Sequence, residues 1–434
     1  MEDVAPRVLI AGGSLGGLTT ALTLRDAGCD VDVYERSRSP LEGRGAGIVL
    51  HPATIRYFIE TDAMDVGQVS SKADWLRYLD RDGDTIHEAP CRYWFTSYYT
   101  LHKGLLDCFD QSRYHLGAGM TGFHQEDDSI SLELGDEAVT GDLLVCADGI
   151  HSTARRLLLP DVLPRYAGYV GWRGTVRENE LSAGTLSPLQ DACTYYVGDR
   201  MHILTYPIPD FDGSVEPGER RINFVWYRNV AEGPKLDDLM TDARGMRQEI
   251  SLAPGAVRQH HVDELVGAAV EQLPESIAEV VAKSSEPFVQ AVFDIAVPRM
   301  AFGRACLIGD AAFAIRPHAA AGTAKAAEDG WQLAAAMRAE RGDVIAALRR
   351  WEPHQLALGH TVMNRSREIG ARAQVSGTYV PGDPNVAFGL YKPEDSWITG
   401  EKTSPLLPPS AQRFAHGSQT RAPRPSRRPA RRRS

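Results

Sequence analysis

Residues 8–17 read VLIAGGSLGG, a short apolar strand that runs directly into a glycine-rich turn. A helical pattern follows through Leu24, and a second strand at residues 31–34 ends at Glu35. Glycines permit a tight turn and close helix packing, the helix N-terminus faces a pyrophosphate, and the acidic residue about 20 positions later can accept a ribose hydroxyl. This βαβ unit predicts a site for an adenine dinucleotide.

One position departs from the usual G-x-G-x-x-G pattern. Ser14 replaces the second glycine, the one that lets the backbone approach the diphosphate. We interpret the change as tolerated, because serine is small and its hydroxyl could donate to a phosphate oxygen; a simple turn is the alternative. This fingerprint does not distinguish FAD from NAD. The predicted cofactor contacts here are Gly12, Ser14, Leu15, Gly16, Gly17, Glu35 and Arg36.

Two further strands end in an aspartate. Residues 143–155 read LLVCADGIHSTAR, with the spacing D-G-x-x-S-x-x-R, and residues 307–322 read LIGDAAFAIRPHAAAG. Asp148 and Asp310 can each offer a carboxylate to a ligand hydroxyl, and the small residues after Pro317 let backbone amides approach a flat group. A lone Gly-Asp often only turns the chain toward a helix cap. All three motifs together favour a flavin.

These three elements, in this order, resemble the FAD-dependent aromatic hydroxylases of class A, the para-hydroxybenzoate hydroxylase type, over about residues 4–370. Residues 166–174, 206–209 and 229–234 resemble the branch of that family that hydroxylates dihydroxypyridines. The resemblance implies an α/β protein: a Rossmann-like FAD-binding domain with an inserted mixed or antiparallel β-sheet substrate domain and a C-terminal helix.

Alternating apolar and polar residues support the inserted sheet, for example at 195–197, 202–206 and 222–227. A turn at 80–84 predicts a hairpin that joins this sheet. The predicted division is a discontinuous FAD-binding domain (1–75, 99–165 and 285–345), a substrate-binding domain (76–98 and 166–284), a C-terminal helical segment (346–400) and a disordered basic tail (401–434).

Composition excludes several other classes. The chain has 434 residues and 43% apolar content, enough to bury a large core. No apolar run approaches the roughly 20 residues of a membrane span, and residues 1–3 leave no room for a signal peptide, so we predict a cytoplasmic protein without membrane contact. The six cysteines include no C-x-x-C pair, and His260-His261 lacks further ligands at zinc spacing, so we predict no metal.

Charge is unevenly distributed along the chain. The net charge is −10, yet residues 401–434 hold nine basic residues and one acidic residue, which leaves the body strongly negative. Such a tail cannot bury a core. It could bind nucleic acid or an acidic partner, but nothing aromatic or folded accompanies the charges, so we favour a dispensable extension and predict no nucleic-acid partner.

The resemblance implies the chemistry. NADH or NADPH docks transiently and reduces bound FAD, molecular oxygen forms a flavin C4a-hydroperoxide, and an oxygen atom passes to a hydroxypyridine or a similar electron-rich ring. It also implies a homodimer. Alternatives are a tailoring hydroxylase or epoxidase on a larger pyridinol or phenol, a halogenase, whose W-x-W-x-I-P signature is missing from this sequence, and a noncatalytic flavoprotein with a nucleic-acid-binding tail.

Two residues are catalytic candidates. His318 lies in the loop expected beside the flavin ring, where an imidazole suits proton transfer or hydrogen bonding, although a purely structural role is the alternative. Tyr206 could hydrogen-bond the substrate, although tyrosines in such sheets are often part of the core. Arg173 could reach the flavin or pack between the domains. The remaining predicted flavin contacts are Val49, His51, Asp148, Asp310, Pro317, Ala321, Gly322 and Thr323.

Overall fold

A computed structural model describes residues 5–39 and 47–396 of the chain. The predicted basic tail lies outside these residues. Within them, no helix is long and apolar enough to cross a membrane.

The strands of the described residues form two large sheets and one small sheet. In chain order they are β1 (Arg7–Ala11), β2 (Asp30–Glu35), β3 (Gly47–Val49), β4 (Ser71–Leu79), β5 (Thr85–Ser97), β6 (Tyr114–Leu116), β7 (Gly122–Gln125), β8 (Ile130–Leu134), β9 (Glu137–Gly141), β10 (Leu143–Cys146), β11 (Arg165–Arg177), β12 (Ala192–Gly198), β13 (Met201–Ile208), β14 (Arg221–Asn229), β15 (Ser251–Leu252), β16 (Phe288–Ala296), β17 (Ala301–Phe302), β18 (Ala305–Leu307) and β19 (Phe313–Ala314).

The α-helices of the same residues pack on these sheets. They are α1 (Leu15–Asp26), α2 (Pro52–Thr61), α3 (Tyr98–Asp107), α4 (Thr153–Leu158), α5 (Ala183–Leu186), α6 (Pro234–Leu239), α7 (Gln259–Gln272), α8 (Glu275–Lys283), α9 (Gly322–Ala339) and α10 (Val344–Ala371).

The first sheet has the strand order β17-β18-β10-β1-β2-β6, and β1 pairs in parallel with both β2 and β10. Residues 8–11 are buried, as expected for a parallel strand that is covered on both faces. Helix α1 packs against α9, where a Cβ on Gly330 would lie only 2.5 Å from Oγ1 of Thr20. The three predicted motifs follow strands β1, β10 and β18. These strands are parallel, so their carboxyl ends lie at the same edge of the sheet and the three motifs share one crevice.

The second sheet is mixed and has the main order β15-β16-β11-β14-β13-β12-β4-β5-β3, with β12 parallel to β4 and the other pairs antiparallel. On β13, the side chains of His202, Leu204 and Tyr206 face a cavity, whereas Ile203 packs in the core shared with α7 and α8. This alternation follows from the two-residue period of a strand. The predicted hairpin is confirmed as β4 and β5.

The described structure confirms the predicted fold class. Helix α10 continues to Ala371, and residues 377–396, which we name the closing loop, pack against the second sheet, where Tyr379 lies beside Tyr78 and Phe388 beside Tyr93. The predicted division into domains stays a prediction, and β4 crosses its first boundary between residues 75 and 76.

Candidate active site

The glycine-rich turn that follows β1 lies in close contact with the backbone that follows β10. Gly12 has a φ of 108°, and a Cβ there would lie 2.3 Å from the carbonyl oxygen of Ala147. The Glu35 carboxylate stabilises this turn, because its two oxygens accept hydrogen bonds from Gly13 N at 2.9 Å and Ser37 N at 2.8 Å. Each carboxylate oxygen has further acceptor capacity, so Glu35 can still accept a ribose hydroxyl.

Ser14, which replaces the second glycine of the fingerprint, forms a hydrogen bond with another side chain. Its Oγ lies 2.7 Å from the hydroxyl of Tyr98. The carbonyl of Gly13 accepts hydrogen bonds from Tyr114 Oη at 2.9 Å and from His102 Nε2 at 3.0 Å. His102 therefore helps to fix the backbone of the turn.

The D-G-x-x-S-x-x-R motif of residues 148–155 is connected by hydrogen bonds to the loop that carries Asp310. Asp148 Oδ2 accepts hydrogen bonds from Thr153 N at 2.7 Å and Ala154 N at 3.3 Å, while Oδ1 is buried without a partner among the described residues. Burial raises the pKa of this carboxyl. The buried Arg155 donates to the carbonyl of Ala311 at 3.0 Å, and thereby positions the loop that carries Asp310.

The Asp310 side chain is exposed to the crevice. Desolvation by the protein around it nevertheless raises the pKa of its carboxyl to about 6, while the positive charges of Arg155 and Lys325 act to lower that pKa. Behind it, Lys325 Nζ forms a buried ion pair with Asp329 at 2.7 Å. Asp329 Oδ2 also accepts a hydrogen bond from Gly309 N at 3.0 Å. The turn before Asp310 is therefore anchored to helix α9.

His51 connects two segments that were predicted to contact the flavin. Its Nε2 donates to the carbonyl of Ala320 at 2.8 Å, and burial lowers its pKa to about 4. Ala320 has a φ of 51°, which turns the chain immediately before α9. His51 thus holds the loop of residues 317–323 against the strand of residues 47–49.

These segments enclose a cavity of about 450 Å³ between the two large sheets. Most of the predicted residues line it, and the others do not. Lining residues are Ser14, Leu15, Gly16, Gly17, Val49, Tyr206, Asp310, Pro317, His318, Gly322 and Thr323. Those outside the lining are Gly12, Glu35, Arg36, His51, Asp148 and Ala321.

The residues on the first-sheet side fit FAD. Gly12 makes the tight turn that the first glycine of a dinucleotide fingerprint makes, and the N-terminus of α1 follows at once. Glu35 and Asp310 offer carboxylates for ribose and ribityl hydroxyls. A flat ring would lie along residues 47–49 and 317–323.

His318 is 5% exposed and hydrogen-bonds through Nε2 to the hydroxyl of Tyr169 at 2.7 Å. The other neighbour of that hydroxyl is Arg316 Nη1, at 3.5 Å, and a guanidinium only donates. Arg316 is held by two hydrogen bonds to Asp294, at 2.9 and 2.8 Å. Burial lowers the pKa of His318 well below its ordinary value, so the imidazole is neutral at pH 7.

Tyr206 is placed differently from the catalytic prediction. Its hydroxyl donates to the carbonyl of Gly47 at 3.2 Å, and its ring stacks on Phe95 with centroids 4.2 Å apart. Burial raises the pKa of Tyr206, and the charge of Arg173 acts in the opposite direction. The ring of Tyr206 lines the cavity, but its hydroxyl is already bonded to the strand at residues 47–49.

Several cavity residues did not emerge from the sequence. His202 Nδ1 lies 2.9 Å from Gln374 Nε2, and its ring centroid is 5.2 Å from that of His318. Burial lowers the pKa of His202 to about 3. His202 lies four residues before Tyr206, which is two periods of a strand, and this spacing was the signal that could have found it. Other lining residues that the sequence did not identify include Tyr195, Leu204, Val225, Tyr227, Tyr379 and Phe388.

Arg173 brings a positive charge to the cavity wall. Its Nε has no hydrogen-bond partner among the described residues. The guanidinium lowers the pKa of Tyr206 and Tyr227, although burial outweighs it and raises the pKa of Tyr227 to about 12. With both cavity histidines neutral, Arg173 is the charged group best placed to receive an anionic ligand.

Outside the cavity, Asp238 joins His260 and His261 in a group whose ligand atoms lie within 4.8 Å of one another. The Arg258 guanidinium already occupies this group, at 2.6 Å from Asp238 Oδ1 and 3.2 Å from His261 Nε2. The Arg258 guanidinium therefore occupies the position that a metal cation would need, and this cluster supports no metal site.

Comparison with known proteins gives concordant results. A family profile described as "FAD binding domain-like" matches residues 166–294. The chain is 38% identical to 2,6-dihydroxypyridine 3-monooxygenase of Paenarthrobacter nicotinovorans, over 91% of this chain and 98% of that protein. It is 27% identical to 6-hydroxynicotinate 3-monooxygenase of Pseudomonas fluorescens, over 89% and 95%. The structure of 2,6-dihydroxypyridine-3-hydroxylase from Arthrobacter nicotinovorans superposes with a TM-score of 0.85 at 38% identity, covering 90% of this chain and 98% of that one.

Proposed function

The chain belongs to the class A FAD-dependent aromatic monooxygenases, and we propose that it hydroxylates a hydroxypyridine or a similar electron-rich ring, with NADH or NADPH as reductant. The observation that carries this proposal is the cavity in which the flavin motifs face Arg173, His202 and His318. The similarity to a dihydroxypyridine monooxygenase over nearly its whole length supports it.

Bound FAD supplies the redox chemistry, accepting a hydride from the nicotinamide and activating O₂ for transfer of one oxygen atom to the substrate. The protein must then orient the ring, favour its deprotonated form and exclude water. The Gly12 turn, Glu35 and Asp310 would hold the dinucleotide, and residues 47–49 and 317–323 would flank its ring.

Arg173 is proposed to bind an oxygen of the deprotonated substrate. A ring hydroxyl that loses its proton makes the neighbouring ring carbons more nucleophilic, and a nearby cation lowers the pKa of that hydroxyl. The guanidinium lines the cavity with its Nε free of protein hydrogen bonds among the described residues. A monoanionic dihydroxypyridine would carry the negative charge that pairs with the Arg173 guanidinium.

His202 and His318 are proposed as hydrogen-bonding groups for the ring substituents. Both imidazoles are neutral, since burial lowers both pKa values. His318 is the first candidate for contact with the reacting ring, because it lies in the loop that flanks the flavin site. Tyr206 is proposed to position residues 47–49 through its bond to Gly47.

The remaining walls exclude water. Tyr195, Leu204, Val225, Tyr227 and Phe388 present mainly apolar surface to the cavity. A dry site strengthens the electrostatic effect of Arg173 and limits loss of activated oxygen to water. The homodimer implied by the resemblance and the cytoplasmic location predicted from the sequence both stay predictions.

The test uses the FAD-loaded full chain, mixed anaerobically with NADH or NADPH, with and without 2,6-dihydroxypyridine. We expect the substrate to accelerate bleaching of the flavin and, once oxygen is admitted, to yield a product heavier by one oxygen atom. Unaccelerated reduction and no oxygenated product would reject 2,6-dihydroxypyridine as the substrate. Larger pyridinols and phenols would then be compared in the same assay.

A further inference from the structure

A second cavity, of about 80 Å³, adjoins the first. It lies between the β4–β5 hairpin and the closing loop, with Leu76, Pro90 and Val386 among its lining residues. Tyr195 and Phe388 line both cavities. These two side chains therefore form the partition between the ring-binding cavity and the smaller space behind it.

Phe388 is held in place by the closing loop. Its side chain is 4% exposed and its ring lies 4.9 Å from that of Tyr93. The next residue, Gly389, donates from its N–H to the carbonyl of Ala319 at 3.1 Å, and its own carbonyl accepts a hydrogen bond from Arg365. Phe388 is thereby positioned relative to the loop that carries His318.

The two halves of the partition differ in what supports them. Tyr195 is part of strand β12, and its ring stacks on Tyr78 with centroids 5.0 Å apart. Replacing it would disturb the sheet. Phe388 comes from a loop, so a smaller side chain there opens the partition while the sheet is left intact.

We propose, on the basis of the function proposed above, that Phe388 limits the substrate to a single ring by closing off the second cavity, which becomes a subsite for a fused ring only when the Phe388 side chain is shortened. Its volume is about half that of a ~150 Å³ cavity that holds benzene. A fused benzo ring adds four carbons to a pyridine, so the second cavity and the space vacated by Phe388 would together admit it. The ligand class that wild type should disfavour, and that the opened cavity should admit, is a hydroxylated bicyclic azaarene.

The experiment compares 2,6-dihydroxypyridine with 1,3-dihydroxyisoquinoline, which is the same ring with a fused benzo group. Dissociation constants are measured on the FAD-loaded full chain from the change in flavin absorbance on binding. Wild type should bind the pyridine more tightly. In Phe388→Ala, the ratio of the two dissociation constants should shift toward the bicyclic ligand by at least about tenfold, which equals about 1.4 kcal/mol.

Val386→Ala is the matched control. Val386 is also buried in the closing loop, but it lines only the second cavity. Its truncation should change the ratio by less than about twofold, because the partition remains. FAD content and thermal unfolding are measured for each variant, and Phe388→Leu replaces Phe388→Ala if the latter does not retain FAD.

Two results would overturn the proposal: an unchanged ratio in an FAD-replete Phe388 variant, or a wild type that already binds both ligands equally. If wild type binds neither azaarene, the proposed substrate class fails and the partition is tested with phenol and 1-naphthol. The same tenfold shift in favour of the larger ring would then support the role of Phe388 independently, and its absence would reject it.

Discussion

The Tyr169 hydroxyl lies 2.7 Å from Nε2 of His318 and determines which imidazole nitrogen carries the hydrogen. The phenol hydrogen needs an acceptor because the group is buried. Arg316 can only donate to it, so Nε2 of the neutral His318 is the acceptor among the described residues. The hydrogen of His318 is therefore on Nδ1, which has no partner among those residues and is available as a donor.

Tyr169→Phe should lower the turnover number on the ring substrate by about tenfold, equal to about 1.4 kcal/mol of transition-state stabilisation. Without the phenol, either nitrogen of His318 can carry the hydrogen, and the donor is no longer fixed. The loss of one hydrogen bond should cost about 1 kcal/mol in the free energy of unfolding. Steady-state kinetics and urea unfolding measure the two effects separately.

Tyr166→Phe is the control for that variant. Tyr166 lies on the same strand and donates its hydroxyl to the carbonyl of Val230 at 3.0 Å, away from His318. It should lose similar stability with unchanged turnover. Equal turnover in both variants would show that the contact between Tyr169 and His318 is structural only.

Arg173→Gln should raise the Michaelis constant of an anionic ring substrate by at least about tenfold, because it removes the positive charge from the cavity wall. Arg165→Gln removes an equal charge from an exposed position on the same strand and should have little effect. Both constants are taken from initial rates at fixed NAD(P)H. Similar increases in both variants would mean that overall charge, rather than the position of Arg173, determines binding.

The flavin motifs could be recognised in the sequence because each one directly follows a strand. Parallel strands place their carboxyl ends at one edge, so Ser14 and Asp310 could be assigned to one crevice from local pattern alone. The motif arginine, Arg155, was visible in the sequence, but its bond to Ala311 required the tertiary structure.

The substrate side could not be predicted to the same depth. His202 lies on a strand whose inward face depends on register, and a one-residue error would have placed Ile203 in the cavity instead. Tyr379 and Phe388 come from a loop without a regular pattern, and they reach the cavity only because α10 brings the chain back over the sheet. Tertiary packing, rather than local propensity, determines these contacts.

Gly12→Ala should lose most of its bound FAD and unfold at a lower temperature than wild type. Gly28→Ala is the control, since both glycines have positive φ, 108° and 89°, but a Cβ at residue 28 meets no atom within 4 Å. The control carries only the backbone strain, on the order of 1–2 kcal/mol. A Cβ at residue 12 would also clash with Ala147 O. Equal FAD content in the two variants would contradict a close backbone approach at this turn.

His202 should make the protein less stable in mild acid. Its pKa is about 3 in the folded protein, below the ordinary value of about 6.5, so between these pH values the unfolded chain binds more protons. The free energy of unfolding should therefore fall as the pH is lowered from 8 to 5.5, with about 1.4 kcal/mol of the decrease due to His202. His202→Gln should remove that part of the decrease in urea unfolding, whereas His124→Gln, at an exposed position on β7, should not. An identical pH dependence in wild type and His202→Gln would mean that this imidazole is protonated in the folded state, and the cavity would then hold a second cation beside Arg173.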